Sequence, residues 1–280
     1  MVGSARAEIC QQIKGKPMPK LLHKYWKTAA MAASSYIGDS PLFLIDYLLR
    51  LLRVIVLLSI WRTILAGKGT VSGMTLEEVL TYTLIAEVFA AQFSPRTTLD
   101  QVFWNGAIAG RLLQPMGIFS QFSADMFGRW LFEFAVFSVP LLLLAPLLGV
   151  SALPAGVSAA ALFVLSLALA ISVGLAIEFV FGGLLVVLQL PHWAVSQVRS
   201  AITALLSGAI VPLALLPPNV GAAFAWLPFA SMASAPLQIY TGTGEPIRLL
   251  ALQIGWSIVL WPLAHWLWRV SRERMVAYGG

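Results

Sequence analysis

The chain has 280 residues, 59% of them hydrophobic and only 11% charged, and its mean hydropathy is +0.84. A soluble domain carries about 25% charged residues and roughly 45–50% apolar ones. This composition therefore disfavours soluble enzymes, nucleic-acid readers and disordered chains, and points to one integral membrane domain. The 18 Lys and Arg against 12 Asp and Glu leave a net charge of +6, read here as basic flanks facing anionic lipid. The single cysteine, Cys10, excludes an intrachain disulfide and a Cys-based metal site.

The first 41 residues are expected to form a polar, basic cytoplasmic segment without the apolar core of a secretory signal. Within it, residues 20–37 alternate at helical spacing. At 100° per residue, Leu21, Leu22, Tyr25, Trp26, Ala29, Ala33, Tyr36 and Ile37 share one half-circle, opposite Lys20, His23, Lys24 and Lys27. That face pattern predicts a helix lying in the headgroup layer.

A membrane-spanning helix needs ~20 largely apolar residues. Six stretches qualify: 42–66, 74–95, 130–148, 157–181, 200–216 and 247–268, the fourth with room to extend to Leu188. A basic tail, 269–280, follows. The expected fold class is all-α, with a permease-like domain over 42–268. Thirteen Lys and Arg fall in segments on one side of these spans, against Lys68 alone on the other. The positive-inside rule then places both termini in the cytoplasm.

The first span carries unusual charge. Asp46, Arg50 and Arg53 stand at i, i+4, i+7 on one face, with Arg62 opposite. Asp46 and Arg50 are spaced to pair, and the arginines either snorkel to headgroups or line a polar cavity. Glu87 lies deep in the second span, while Glu133 and Glu178 sit nearer the cytoplasmic ends. A carboxylate at such depth must find a partner. Structural pairing of Glu87 with a first-span arginine and direct substrate contact are both open, the latter implying a preference for cationic or zwitterionic amphiphiles.

After Ser94-Pro95, residues 96–129 form a long, mildly polar cytoplasmic connection. Thr98 and Gln101 have capping-box spacing for a short helix, which Asn105-Gly106 would end. Its apolar residues Val102, Phe103, Ile108, Leu112 and Leu113 need covering, either by a docked partner or by the underside of the spans. Residues 212–244 are too apolar for a free loop and too interrupted by Pro212, Pro217, Pro218, Pro228 and Pro236 for a span. A re-entrant outer hairpin satisfies both constraints.

Recognisable catalytic chemistry is missing from the sequence: it has no phosphate-binding G-x-x-x-x-G-K-[ST], no H-E-x-x-H and no G-x-S-x-G. His23, His192 and His265 share no ligand spacing.

Three stretches resemble the permease subunits of ABC-2-type transporters, in particular a six-span bacterial subgroup. The first runs from Asn105-Gly106 to Arg111-Leu112-Leu113-Gln114-Pro115, with Gln114 where that family usually has arginine. The second comprises Ser207-Gly208, Pro212, Leu216-Pro217, Leu227-Pro228-Phe229, Pro236 and Tyr240-Thr241-Gly242. The third comprises Gln253, Trp256, Trp268-Arg269 and the tail ending Tyr278-Gly279-Gly280.

The resemblance implies a non-enzymatic exporter subunit of the plasma membrane for amphiphilic drugs, antibiotics or lipids. Two ATPase subunits would carry ATP and Mg, with no cofactor on this chain. A second permease subunit, identical or related, and membrane lipid would be its other partners; nucleic acid would not. The N-terminal interfacial helix would serve as an elbow. Phe103, Trp104, Gly106, Gly110, Arg111, Leu113 and Pro115 would form the ATPase-coupling segment. Asp46, Arg50, Arg53, Glu87 and Glu178 would supply pathway or intramembrane charge. Pro212, Pro217, Trp226 and Phe229 would shape an outer lid. The alternative from another class is a proton-coupled secondary transporter using Glu87.

Overall fold

A computed structural model describes residues 43–104, 106–114 and 116–278. The expected interfacial helix at 20–37 lies outside these residues.

The described chain is mostly helical. Helix α1 (Phe43–Leu65) leads into a two-stranded hairpin, β1 (Thr70–Val71) and β2 (Met74–Thr75). The strands are antiparallel, with Thr70 opposite Thr75 and Val71 opposite Met74. Ser72 and Gly73, at φ of 51° and 82°, make the tight connection, a geometry in which both central residues occupy the left-handed region. Thr75 then caps α2 (Leu76–Val88). Its Oγ1 accepts from Glu78 N at 3.3 Å, and Glu78 Oε2 accepts from Thr75 N at 2.7 Å.

The second expected span is not one continuous helix. It breaks at Phe89, whose φ and ψ are −105° and 19°, before the single turn α3 (Ala90–Phe93). Phe89 packs among Phe93, Phe134 and Phe163. The short helices α4 (Leu99–Trp104) and α5 (Ile108–Leu112) follow.

The third helix starts twelve residues before the expected 130. It runs as α6 (Ile118–Glu133), a π turn (Phe134–Ser138) and α7 (Val139–Leu144). Pro140 stands at the start of α7. Its ring has no amide proton and clashes with the carbonyl one turn back. The helix widens there, Val139 N–H reaching Phe134 O.

Helix α8 (Val157–Leu188) fills the extended range expected of the fourth span. Helix α9 (His192–Leu206) is shifted towards the N-terminus from the expected 200–216, because Gly208 and Pro212 end regular helix early. A 3-10 turn (Leu213–Leu215), α10 (Pro218–Ala225) and α11 (Ser234–Thr241) form the interrupted region, and α12 (Pro246–Tyr278) closes the fold.

Among the described residues, three helices are long and apolar enough to cross a membrane: Ile118–Leu144, Val157–Leu188 and Pro246–Ser271. Helix α1 has 23 residues but carries four charges; α2 and α9 have 13 and 15 residues. Helix α8 is the organising element, packed along α12, α11 and α9. At Gly183 a Cβ would come within 2.9 Å of Leu267 Cβ, so the missing side chain lets α12 approach closely. One apolar cluster joins Val54, Leu58 and Trp61 of α1 to Leu80 and Leu84 of α2 and Leu237 of α11. A second gathers Leu99, Phe122, Phe179 and Trp268 beneath it. Ile45, Leu48, Leu52 and Ile55 leave one side of α1 exposed and apolar, a surface suited to acyl chains.

Candidate functional site

Three features carry the site: a buried ion-pair knot, a surface segment attached to it, and an arginine-lined cavity.

The knot sits where α3 gives way to α4. Glu178 and Arg199 are 7% and 6% exposed, and they form an ion pair between α8 and α9. Glu178 Oε1 also accepts from Thr97 N at 2.7 Å and Thr97 Oγ1 at 2.9 Å. Arg199 Nη1 donates to Pro95 O at 2.8 Å. Thr97 Oγ1 accepts from Leu99 N at 3.3 Å, capping α4. Desolvating two charges is costly unless their remaining lone pairs and protons are satisfied; here backbone and hydroxyl partners from residues 95–97 supply that.

Gly174, Glu178 and Gly182 repeat every four residues along α8, so they form one stripe. A Cβ on Gly174 would lie 2.6 Å from Pro95 Cγ, and one on Gly182 would lie 2.5 Å from Leu99 Cδ2. The two glycines thus let residues 95–99 lie flat on α8 around the carboxylate. Glu178, grouped above with the pathway or intramembrane charges, is buried here and anchors Thr97 at the start of the 96–129 connection.

That connection divides into covered and open parts. Leu99 and Val102 are buried, and Ile108 packs against their cluster. Leu112 is exposed, and Leu113 is 88% exposed. Gly106 has φ +72°, and space around a Cβ on Gly106 or Gly110 is open. Arg111 faces inward: it pairs with Asp125 at 2.6 Å and lies over Phe122. Gln121 Nε2 donates to Arg111 O at 2.9 Å and Met116 O at 2.8 Å. Arg111 therefore holds the segment in shape rather than offering its charge outward. Pro115 and the side chains of Phe103, Trp104 and Asp46 lie outside the described residues.

The cavity encloses about 640 Å³ between α1, α2–α3, α6–α7 and α9. Its charged lining is Arg50, Arg53, Arg96, Arg129, Glu87 and Glu133. Arg53 grips Glu87, its Nη2 donating to Oε2 at 2.6 Å and its Nε to Oε1 at 3.0 Å. Arg50 lies 3.6 Å from Glu133 and stacks over Phe137. Glu87 thus has the first-span arginine partner that one of the two readings expected, and it also lines the cavity. Arg96 and Arg129 carry no sequence signal beyond their basic charge; the fold brings both to the cavity, Arg129 on the same helix as Glu133.

In the interrupted region 212–244, Pro212 is buried, Pro217 exposed and Phe229 half-buried. Trp226 is 58% exposed; its ring receives Arg248 and its carbonyl accepts from Trp256 Nε1 at 3.1 Å. Among the described residues, no group of three His, Cys, Asp or Glu side chains is placed to hold a metal ion.

Long apolar helices, a buried ion pair between α8 and α9, and a partly exposed segment fastened to that pair are the features of a multi-pass helical membrane protein. The chain belongs to the ABC-2 family transporter proteins, whose family profile matches residues 51–279. None of the curated proteins compared with the chain matches it. It is thus the membrane component of an ABC-2 family transporter; such permeases are typically non-catalytic and generally pair with ATPase subunits.

Proposed function

We propose that this chain is the permease subunit of an ATP-driven exporter of amphiphilic small molecules, working as a pair of permeases above two ATPase subunits. The observation that carries this reading is the knot. It clamps residues 95–99 to α8 and α9, and the same connection continues through α4 and α5 to the exposed Leu112-Leu113. A push on that segment is then delivered to two membrane helices through a buried, fully partnered joint rather than lost in a loose loop.

Six spans with both termini cytoplasmic complete the reading. The charge-bearing α1, the broken α2–α3 and the short α9 would cross beside the three long helices, with protein on their polar faces. Residues 212–244 would close the outer end of the path, Trp226 and Phe229 forming an apolar lid with their counterparts in the second permease. Ordinary anchoring of those aromatics at the interface is the competing account.

The test is co-purification. The intact chain should carry an ATPase subunit out of native membranes, and Leu112→Glu/Leu113→Glu should lose it while still inserting in the membrane. Retention of the ATPase at parental stoichiometry by that variant would overturn the docking assignment.

A further inference from the structure

The geometry points to the arginine-lined cavity as a binding site for a single-chain amphiphile with an anionic, phosphate-type head. This rests on the exporter reading only for the fate of the ligand; the binding itself depends on the cavity alone.

Charge is the first argument. Among the described residues lining this cavity, four guanidinium groups face two carboxylates. Glu87 and Glu133 engage Arg53 and Arg50. Among the described residues, no carboxylate pairs with Arg96 or Arg129, although Arg129 Nη2 donates to Arg96 O at 3.1 Å. Guanidinium forks match phosphate oxygens in bidentate geometry. An anion seated between Arg96 and Arg129 offsets the excess; a cation would add to it.

Shape is the second. Arg129, Glu133, Phe137 and Leu141 line the cavity at four-residue steps along α6–α7. At ~1.5 Å per residue, the wall grades from guanidinium to aliphatic over about 18 Å. Val54 and Ile210 extend the apolar part from α1 and beyond α9. The volume of about 640 Å³ falls within the ~300–1,000 Å³ of small-molecule sites. A free phosphate would leave that apolar end unfilled, and a neutral amphiphile would leave the arginines unmatched.

Two sources carry such a head: a single-chain phospholipid arriving as cargo, or an anionic lipid of the surrounding bilayer. The full-length protein in phosphatidylcholine nanodiscs, titrated with radiolabelled oleoyl lysophosphatidic acid, should show saturable binding above that of empty discs. Oleoyl lysophosphatidylcholine should bind at least tenfold more weakly, and millimolar inorganic phosphate should not compete. Arg96→Gln should weaken binding about tenfold, or about 1.4 kcal/mol. Because Arg129 also braces the Arg96 carbonyl, Arg129→Lys, which keeps the charge, should retain most of the affinity while Arg129→Gln loses it. Competition by phosphatidylglycerol added to the discs assigns the site to bilayer lipid; absence of competition assigns it to a mobile single-chain ligand, and either outcome upholds the anion site. Equal binding of lysophosphatidylcholine, displacement by phosphate alone, or unchanged affinity in both Arg96→Gln and Arg129→Gln overturns it. Binding needs no ATPase, so a failure here is distinct from a failure of co-purification.

Discussion

Breaking the Glu178–Arg199 joint should cost more than its two charges suggest. Arg199→Met removes the cation from a buried carboxylate, while the two Thr97 donors stay in place. It also strips Pro95 O of its bond from Nη1. Removing one partner of a buried pair costs ~3–5 kcal/mol, and the orphaned carbonyl places this variant at the upper end. Glu178→Gln should fall in the same range by stranding Arg199. Thr97→Val is the mild member of the series: it loses one hydroxyl bond to the carboxylate and the cap of α4, while its N–H bond persists. One hydrogen bond to a charged group is worth ~1.5–3 kcal/mol. Unfolding in mixed micelles by added dodecyl sulfate would measure all three, together with Glu178→Gln/Arg199→Met. The double variant should fall short of the summed single losses by ~1–3 kcal/mol, the usual size of coupling between contacting groups. ATPase stimulation by the assembled transporter should fall in Thr97→Val before stability does. Strictly additive losses, or a Thr97→Val protein with parental stability and coupling, would refute the joint.

Glu87→Gln should leave export intact and tighten binding of lysophosphatidic acid, since Arg53 is released towards the cavity; loss of export with binding unchanged would favour proton coupling through Glu87. Gly110→Trp, placed in open space, should fold normally and lose ATPase on co-purification, whereas Gly182→Val should lower the unfolding midpoint because its Cβ meets Leu99; the reverse order would contradict the packing described. For topology, single cysteines at Gly69 and Gly110, with Cys10 replaced, should react with an impermeant reagent from outside and inside respectively. Outside labelling at Gly110 would invert the orientation. Ser271 is a poor reporter, being buried with its Oγ bonded to Gly183 O and Leu267 O. Trp226→Ala, with Phe229→Ala alongside, should make the assembled transporter leak; tight, active protein would leave those aromatics as interfacial anchors.

Hydropathy located the apolar stretches well because burial in lipid selects whole windows of residues, as the match of α8 to 157–188 illustrates. It placed boundaries less well. Residues 118–129 contain Gln121, Asp125 and Arg129, which lower a hydropathy window, yet they continue α6 because the first two are bonded to the 111–116 segment. The break at Phe89 had no Pro or Gly to announce it and depends on aromatic neighbours from α3, the π turn and α8. Helical spacing speaks for one helix at a time, so the sequence shows that Glu87 needs a partner, while its meeting with Arg53 is a long-range fact. The Gly174–Glu178–Gly182 stripe was readable in principle from its spacing; its meaning required knowing that residues 95–99 lie across it.

Gln253 has a consequence for how the protein can deform. It is fully buried, and its amide is completely occupied: Oε1 accepts from Ser166 Oγ at 2.9 Å, while Nε2 donates to Ser166 O at 3.0 Å and Ser231 O at 2.9 Å. One side chain therefore rivets α12, α8 and the connection between α10 and α11 into a single block. Shearing any of the three past the others would strand amide and carbonyl groups in an apolar interior, at ~1–3 kcal/mol for each. Compliance is displaced to the other side of the molecule, where the cavity separates α1 and α6–α7 from α9. Opening and closing would then be the swing of a lighter gatepost against a riveted frame, with the arginine-lined space as the gap that widens.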